Sequence, residues 1–481
     1  MHPVEQLTQV RLRTVSGRFR MYALEDKKHH ARLADMCPAE RWPENSFTRG
    51  CPRPMLVGKQ HQKQLQILTE ALSAAITDIV CRWWTDEQAA LPKRMPLSEE
   101  EEDLLKWVED QTVSGTMCPY NECRGSWRPD FLVDSEGNEG EIFKVTEINA
   151  RFVFNGAMHL YYGQKALNES LATENNMVCG AVPAEEFLEG YLGLFNPRKP
   201  LHILKDADPG IDIHMLIHLV QQRFGHQPQI VKLADLRLLA DLSSKTGFRL
   251  CRVVAEEFKS STTFRGENNE TWEEIHQLAI ELLQHELFEL EPEMRRQVCL
   301  RCFNDIRTVL LVHDKRMLGI VREEIPNLLR RSVLSETHAH ALRTSIIPTI
   351  LPGSNEISEL IRMSKESPNL RDQYLLKPIR GGRGRGIIFG DQVTSQEWVS
   401  LLENMRLIDL TSGKCSVVQK RIMPCLYNLA LMSPACIPYV VVGTFHVTNG
   451  KLRGLGIWRA GKERIVAISS GGYWMCSATS C

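Results

Sequence analysis

The chain has no apolar run near the roughly 20 residues that a membrane-spanning helix needs. Its opening residues, MHPVEQLTQVRLRT, lack the apolar core of a secretory leader. Both absences point to a cytoplasmic protein with no membrane partner. It also has no surplus of either charge: 58 Lys and Arg stand against 59 Asp and Glu, a formal net charge of −1. No global basic field exists to hold nucleic acid, although local patches remain open. Repeated cysteine pairs are missing too. The 14 cysteines are scattered, with one CxxC (Cys299, Cys302) and one CxxxxC (Cys118, Cys123), a weak basis for zinc. Several (Cys81, Cys179, Cys251, Cys299) sit in apolar runs and read as reduced, buried thiols. There is no internal repeat, no low-complexity tract, no serine–histidine or cysteine–histidine constellation, and no GxxxxGK[ST] loop.

What is there begins with size. At 481 residues and 43% hydrophobic content, the chain buries a large core and holds two or three structural units. Its most informative stretch is YLLKPIRGGRGRGIIFG, residues 374–390. An apolar run delivers Lys377. A turn follows with Gly381, Gly382, Gly384 and Gly386, and a second apolar run leads away. Glycines let successive backbone N–H groups converge on an anion, and a lysine at the rim adds a point charge for phosphate. Strand, lysine, glycine turn and strand read as a lid over a nucleotide triphosphate; the bland alternative is a glycine-rich hairpin with solvated arginines.

Other segments read as follows. Residues 1–55 are polar and proline-dotted, an irregular arm. Leu65, Leu68, Leu72, Ile76, Ile79 and Trp83 recur at spacings of three and four, an amphipathic helix. The acidic run 99–103 opens another helix. RPDFLV, DSEGNEG and EIFKVTEINARF form strand, turn and strand, which gathers Asp130, Glu147 and Asn149 near one end. A helix follows from Ala157. The segment from Leu201 reads as a βαβ unit, either a substrate wall or plain scaffold. Residues from Trp272 predict a helix through Ile275, Leu278, Leu282 and Leu283. VLLV, 309–312, predicts a strand that leads to Lys315 at a helix start. SVVQKRI predicts another strand, and YVVVGTFHV–TNGK–LRGLGIW a hairpin turning at Asn449-Gly450. Arg459 and the pair Gly471-Gly472 lie beyond it.

Four segments, taken together and in this order, resemble the eukaryotic-type glutathione synthetase and glutathionylspermidine synthetase group. They are RPDFLV with TEINARF, VHDKRMLGIV, YLLKPIRGGRGRG, and SVVQKRI followed by LGIWRAG and SSGGYW. The resemblance implies an α/β (α+β) chain with a permuted ATP-grasp fold and a glutathione synthetase-like βαβ substrate domain. It divides the chain into the arm 1–55, the helices and metal-binding hairpin 56–198, the substrate domain 199–300, and the nucleotide-binding region 301–481. Residue by residue, it implies Mg²⁺ on Glu147 and Asn149 with Asp130 in support. It puts ATP phosphates on Lys315 and Lys377, under a lid of Gly381, Gly382, Gly384 and Gly386. Gln419, Lys420 and Ile422 line the adenine pocket. Arg128, with Lys377, is catalytic and sits near the reacting carboxylate. Arg459 and the loop at Gly471 and Gly472 meet substrate.

The implied reaction is ATP-dependent ligation of a small-molecule carboxylate to an amine, and the N-terminal helices together with the resemblance imply a homodimer. The pattern is broken at Gly381, where the group has a metal-binding glutamate, and by the added Arg383 and Arg385. That break motivates an alternative, in which the scaffold forms peptide bonds from aminoacyl-tRNA without ATP, the arginines Arg380, Arg383 and Arg385 gripping the tRNA backbone. A non-catalytic binding protein is a third reading.

Overall fold

The computed structural model describes residues 4–7, 15–135, 140–172, 178–259, 262–408, 410, 415–431 and 437–480. Among them no helix is long and apolar enough to cross a membrane. A ten-stranded, mostly antiparallel sheet organises the chain. Its main path runs Glu5–Gln6, Gly50–Leu56, Tyr473–Ser480, Trp458–Gly461, Ile437–Thr448, Ser126–Asp134 and Ile142–Asn149. The expected hairpin forms from the last two of these strands, with Asp130 opposite Glu147 and Arg128 opposite Asn149. The expected turn DSEGNEG falls partly on 136–139, outside the described residues.

Phe131, Val133, Val145 and Ile148 are buried, with a bulge at Thr146 shifting the register between Asp130 and Phe131. Phe131 stacks on Phe143 with ring centroids 4.3 Å apart and meets Trp458 edge-on at 5.2 Å. Its ring lies across Gly443, its cross-strand partner, where a Cβ would come within 2.3 Å of the ring. The next hairpin turns at Asn449-Gly450, both at positive φ, the conformation that lets a two-residue turn match the twist of its strands.

Three smaller sheets flank this one. Leu278–Glu281, His202–Lys205 and Gln229–Val231 are parallel, with helix Ile213–Phe224 as the crossover of the expected βαβ unit. A four-stranded antiparallel sheet covers 236–274. The third joins Thr349–Ile350, Ser416–Lys420, Tyr374–Pro378 and Ile388–Phe389 and carries the lid. Helices Asn355–Glu366 and Ser395–Asn404 pack on it around Ile361, Leu376, Trp398 and Val418, a hydrophobic core separate from the main one. The acidic helix is Glu99–Val113, closed by a capping box between Ser98 and Glu101.

Three expectations are overturned. The arm 1–55 is not irregular throughout: helix Val15–Met36 and strand Gly50–Leu56 lie in it. Arg53 ties the two together through Asp26 at 2.8 Å and Glu25 at 3.1 Å. The apolar pattern from Trp272 gives two strands, Thr271–Glu274 and Leu278–Glu281, before a short helix Gln284–Glu289. Leu278, Ala279 and Ile280 are all buried, and a short run buried on every side fits strand or helix equally. VLLV shows the converse: Thr308–Val312 is a single π-helical turn, likewise buried throughout.

Truncating Phe131 to alanine removes the ring on which the hairpin packs. Phe131→Ala should cost about 3–5 kcal/mol, read as a lower midpoint of denaturant unfolding. Leu242→Ala, at a fully exposed position, should leave the midpoint unchanged. Equal midpoints for wild type and Phe131→Ala would contradict this packing.

Candidate functional site

A cavity of about 1510 Å³ opens where the first hairpin, the lid sheet, the βαβ unit and the chain after Gly461 meet. One drug-sized ligand fills roughly 300–1,000 Å³, so this cavity has room for more than one molecule. Of the expected site residues, Arg128, Asp130, Glu147, Asn149, Lys377, Gly381, Gly382, Gly384, Gln419, Ile422 and Arg459 all line it.

Lys377 is buried at the end of its strand and donates to the Thr146 carbonyl at 3.3 Å. Burial lowers the pKa of its ammonium; Glu147 opposes that shift and Lys315 adds to it. Gln419 reaches the same Thr146 oxygen at 3.1 Å. Lys315 stands at the start of helix Arg316–Arg330, 3.6 Å from Glu147, and donates to the Gly381 carbonyl at 2.5 Å. Two lysines and a carboxylate thus meet at the root of the lid.

Glu147 and Asn149 alternate along one strand and share a face. The Asn149 amide nitrogen is buried without a partner, and a phosphate oxygen would satisfy it. Among the described residues no three His, Cys, Asp or Glu side chains gather into a metal cage. The two oxygen donors of Glu147 and Asn149 fit a hard cation that takes its other ligands from phosphate and water, as Mg²⁺ does. Asp130 does not fit that role. Its oxygens meet Arg128 at 3.1 Å and Arg459 at 2.5 Å. Burial alone would raise its carboxyl, but these two guanidiniums outweigh burial and hold it below the usual carboxylate range. Asp130 positions two arginines that face the cavity. Arg128 is further fixed by the Asn155 side chain at 2.8 Å.

Besides Lys315, four expected residues do not line the cavity. Gly386, at φ +75°, lies against Pro378 instead. Lys420 follows the buried Gln419 on its strand, so it points the other way and is exposed. Gly471 and Gly472 line a smaller cleft beside Tyr439 and Tyr473. The chain reaches the main cavity a few residues earlier, at Arg464 to Ser469.

The lid loop is tied down by charge. Arg380 pairs with Glu101 at 2.6 Å and lies 3.5 Å from Asp314. Arg383, at φ +58°, bonds both oxygens of Asp208 on the βαβ unit. Gly384 has φ +71°, and a Cβ there would come within 2.3 Å of Ile465, whereas a Cβ on Gly381 meets only ordinary contacts. Glu101, Asp208, Asp314 and Arg151 escaped the sequence reading. Arg151 had a signal: it continues the alternation Glu147, Asn149, Arg151.

Gly384→Ala forces a left-handed backbone on alanine, at roughly 1–2 kcal/mol, and drives a methyl into Ile465. It should loosen the loop and speed tryptic cleavage after Arg383 and Arg385, while Gly381→Ala should cleave at the wild-type rate. Equal rates for all three proteins would show that Gly384 does not hold the lid.

The sequence matches the AnkG N-terminal domain family over residues 68–311. A relative from Aspergillus thermomutatus, the ATP-grasp enzyme ankG, is 33% identical over 430 residues, covering 88% of this chain and 87% of its own. Among solved structures, a glutathione synthetase-like effector from Globodera pallida, in its apo form, superposes with a TM-score of 0.54. It covers 98% of this chain and 99% of its own at 9% identity, a likeness of fold. The mixed α/β architecture is therefore glutathione synthetase-like, and the chain belongs to the AnkG family of ATP-grasp proteins.

Proposed function

We propose that this protein is an ATP-dependent ligase that joins a carboxylate to an amine through an acyl phosphate, on a permuted ATP-grasp scaffold. The observation that carries the proposal is that Lys377, Glu147 and Asn149 line, beneath a glycine-rich lid, a cavity larger than a nucleotide needs, with Lys315 3.6 Å from Glu147 at the lid's root. In this reading 56–198 and 301–481 together hold the nucleotide, and 199–300 supplies a substrate wall.

Bound Mg²⁺ would shield phosphate charge, with Glu147 and Asn149 as its protein ligands. Lys315 and Lys377 neutralise phosphate oxygens. Gln419 and Ile422 meet the base. Arg128 and Arg459, held in place by Asp130, orient the substrate carboxylate and stabilise the oxyanion that develops on it. The carboxylate oxygen bonds to the terminal phosphorus as the bond to ADP breaks. The amine then adds to the acyl carbon, phosphate leaves and the amine loses a proton. Positioning and charge neutralisation suffice for such a transfer. The latched lid keeps water from the acyl phosphate.

The pairing of Arg380 with Glu101 and of Arg383 with Asp208 weighs against the aminoacyl-tRNA alternative, since both guanidiniums already have carboxylate partners within the protein.

Calorimetric titration with ATP and Mg²⁺ tests the reading. Wild type should bind, while Lys377→Met and Glu147→Gln, each close in volume to the native residue, should weaken ATP by roughly tenfold or more without lowering the melting temperature. ATP-dependent phosphate release over a panel of carboxylates and amines should follow the same order. Well-folded wild type that binds no ATP would falsify the proposal.

A further inference from the structure

Three successive lid carbonyls are occupied, and by only two residues. The Ile379 oxygen accepts from the Lys315 backbone N–H at 3.0 Å. The Arg380 oxygen accepts from the Arg151 guanidinium at 3.0 Å. The Gly381 oxygen accepts from the Lys315 ammonium at 2.5 Å. Arg151 and Lys315 are therefore gripped side by side at the root of the lid, one from the end of the first hairpin and the other from a helix start.

Their charges are balanced differently. Lys315 has Glu147 at 3.6 Å. Among the described residues Arg151 has no ion pair; its hydrogen bond is to a neutral carbonyl. Its charged neighbours include Arg380, which repels it, with Asp208 and Glu286 drawing it more weakly. His313, packed in the same place, is pushed well below its ordinary range by burial and by Arg151 and Lys315, and so brings no charge. A cation drawn out of bulk water without a counter-charge is destabilising unless an anion joins it. Arg151 faces the cavity, so that anion can come from a ligand.

We propose that Arg151 is a further catalytic residue, receiving the terminal phosphoryl group of the nucleotide beside Lys315 and staying on it during transfer to the carboxylate. The inference rests on the ATP-dependent reading above. Guanidinium presents a planar fork of donors to phosphate oxygens, and an arginine on a transferring phosphoryl group is an established way to stabilise its charge. The carbonyl of Arg380 aims this fork before the nucleotide arrives.

The test compares wild type, Arg151→Gln and Arg151→Lys by calorimetry with two probes, ATP and AMP, at fixed Mg²⁺. Arg151→Gln should weaken ATP by roughly tenfold to a hundredfold, the worth of one charged hydrogen-bonding group. It should leave AMP, which lacks the terminal phosphates, unchanged. Arg151→Lys should recover part of the loss. Without ligand, Arg151→Gln should melt no lower than wild type, because it removes a charge that has no ion pair among the described residues. Wild-type ATP affinity in Arg151→Gln overturns the inference alone; a wild type that binds no ATP overturns the underlying reading with it. Parallel losses of ATP affinity, AMP affinity and melting temperature would make Arg151 structural. Intact ATP affinity with lost thermal protection by succinate would give Arg151 to a carboxylate instead, which also overturns it.

Discussion

The site must keep several cations close together and largely out of water before any anion arrives. Coulomb repulsion and desolvation both oppose this, and each charge is met in its own way. Asp130 serves two guanidiniums at once. Glu101 and Asp314 hold Arg380, and Asp208 holds Arg383. Glu147 balances Lys315. Main-chain carbonyls, Thr146 for Lys377 and the 379–381 run for Lys315 and Arg151, supply dipoles where no carboxylate stands. Because these counter-groups come from the first hairpin, the acidic helix, the βαβ unit and the lid, the charge requirement also fixes how those parts sit against one another.

The scaffold separates what must be rigid from what must yield. Arg128, Asp130, Glu147 and Asn149 project from adjacent paired strands, packed on Phe131, Phe143 and Trp458. Lys377 and Gln419 stand on a smaller sheet with its own hydrophobic core. The lid loop is held to its surroundings by salt bridges and by Gly384 against Ile465, contacts weaker and more reversible than a shared core.

Much of this was legible in the sequence. Apolar residues in the two strands marked Phe131, Val133, Val145 and Ile148 as buried, and pairing the strands as a hairpin put Asp130, Glu147 and Asn149 near one end. The bulge at Thr146, which buries Val145 yet leaves Glu147 and Asn149 on the cavity, left no mark in the sequence. Glycines after Lys377 marked the lid, and Asn449-Gly450 marked a turn. The reading failed where local pattern loses its power. Leu278 to Ile280 and Val309 to Val312 are buried on every side, and such runs carry no period. Lys420 was assigned with Gln419 although adjacent strand residues face opposite ways. Gly471-Gly472 looked suited to a binding loop, yet that segment reaches the cavity at Arg464 to Ser469. The groups that balance the arginines, Glu101, Asp208 and Asp314, are far from them in sequence, and only folding shows which acid meets which base.

Strand Tyr473–Ser480 lies inside the large sheet, between Gly50–Leu56 and Trp458–Gly461. During synthesis, the Gly50–Leu56 strand is made early and waits for a neighbour some four hundred residues away. Its unpaired edge, an invitation to wrong partners, stays open until that strand is made. The lid sheet and its helices, drawn from 349–420, meet most of their contacts within one continuous stretch, complete before Tyr473 is made. The nascent chain therefore completes its moving part before its frame.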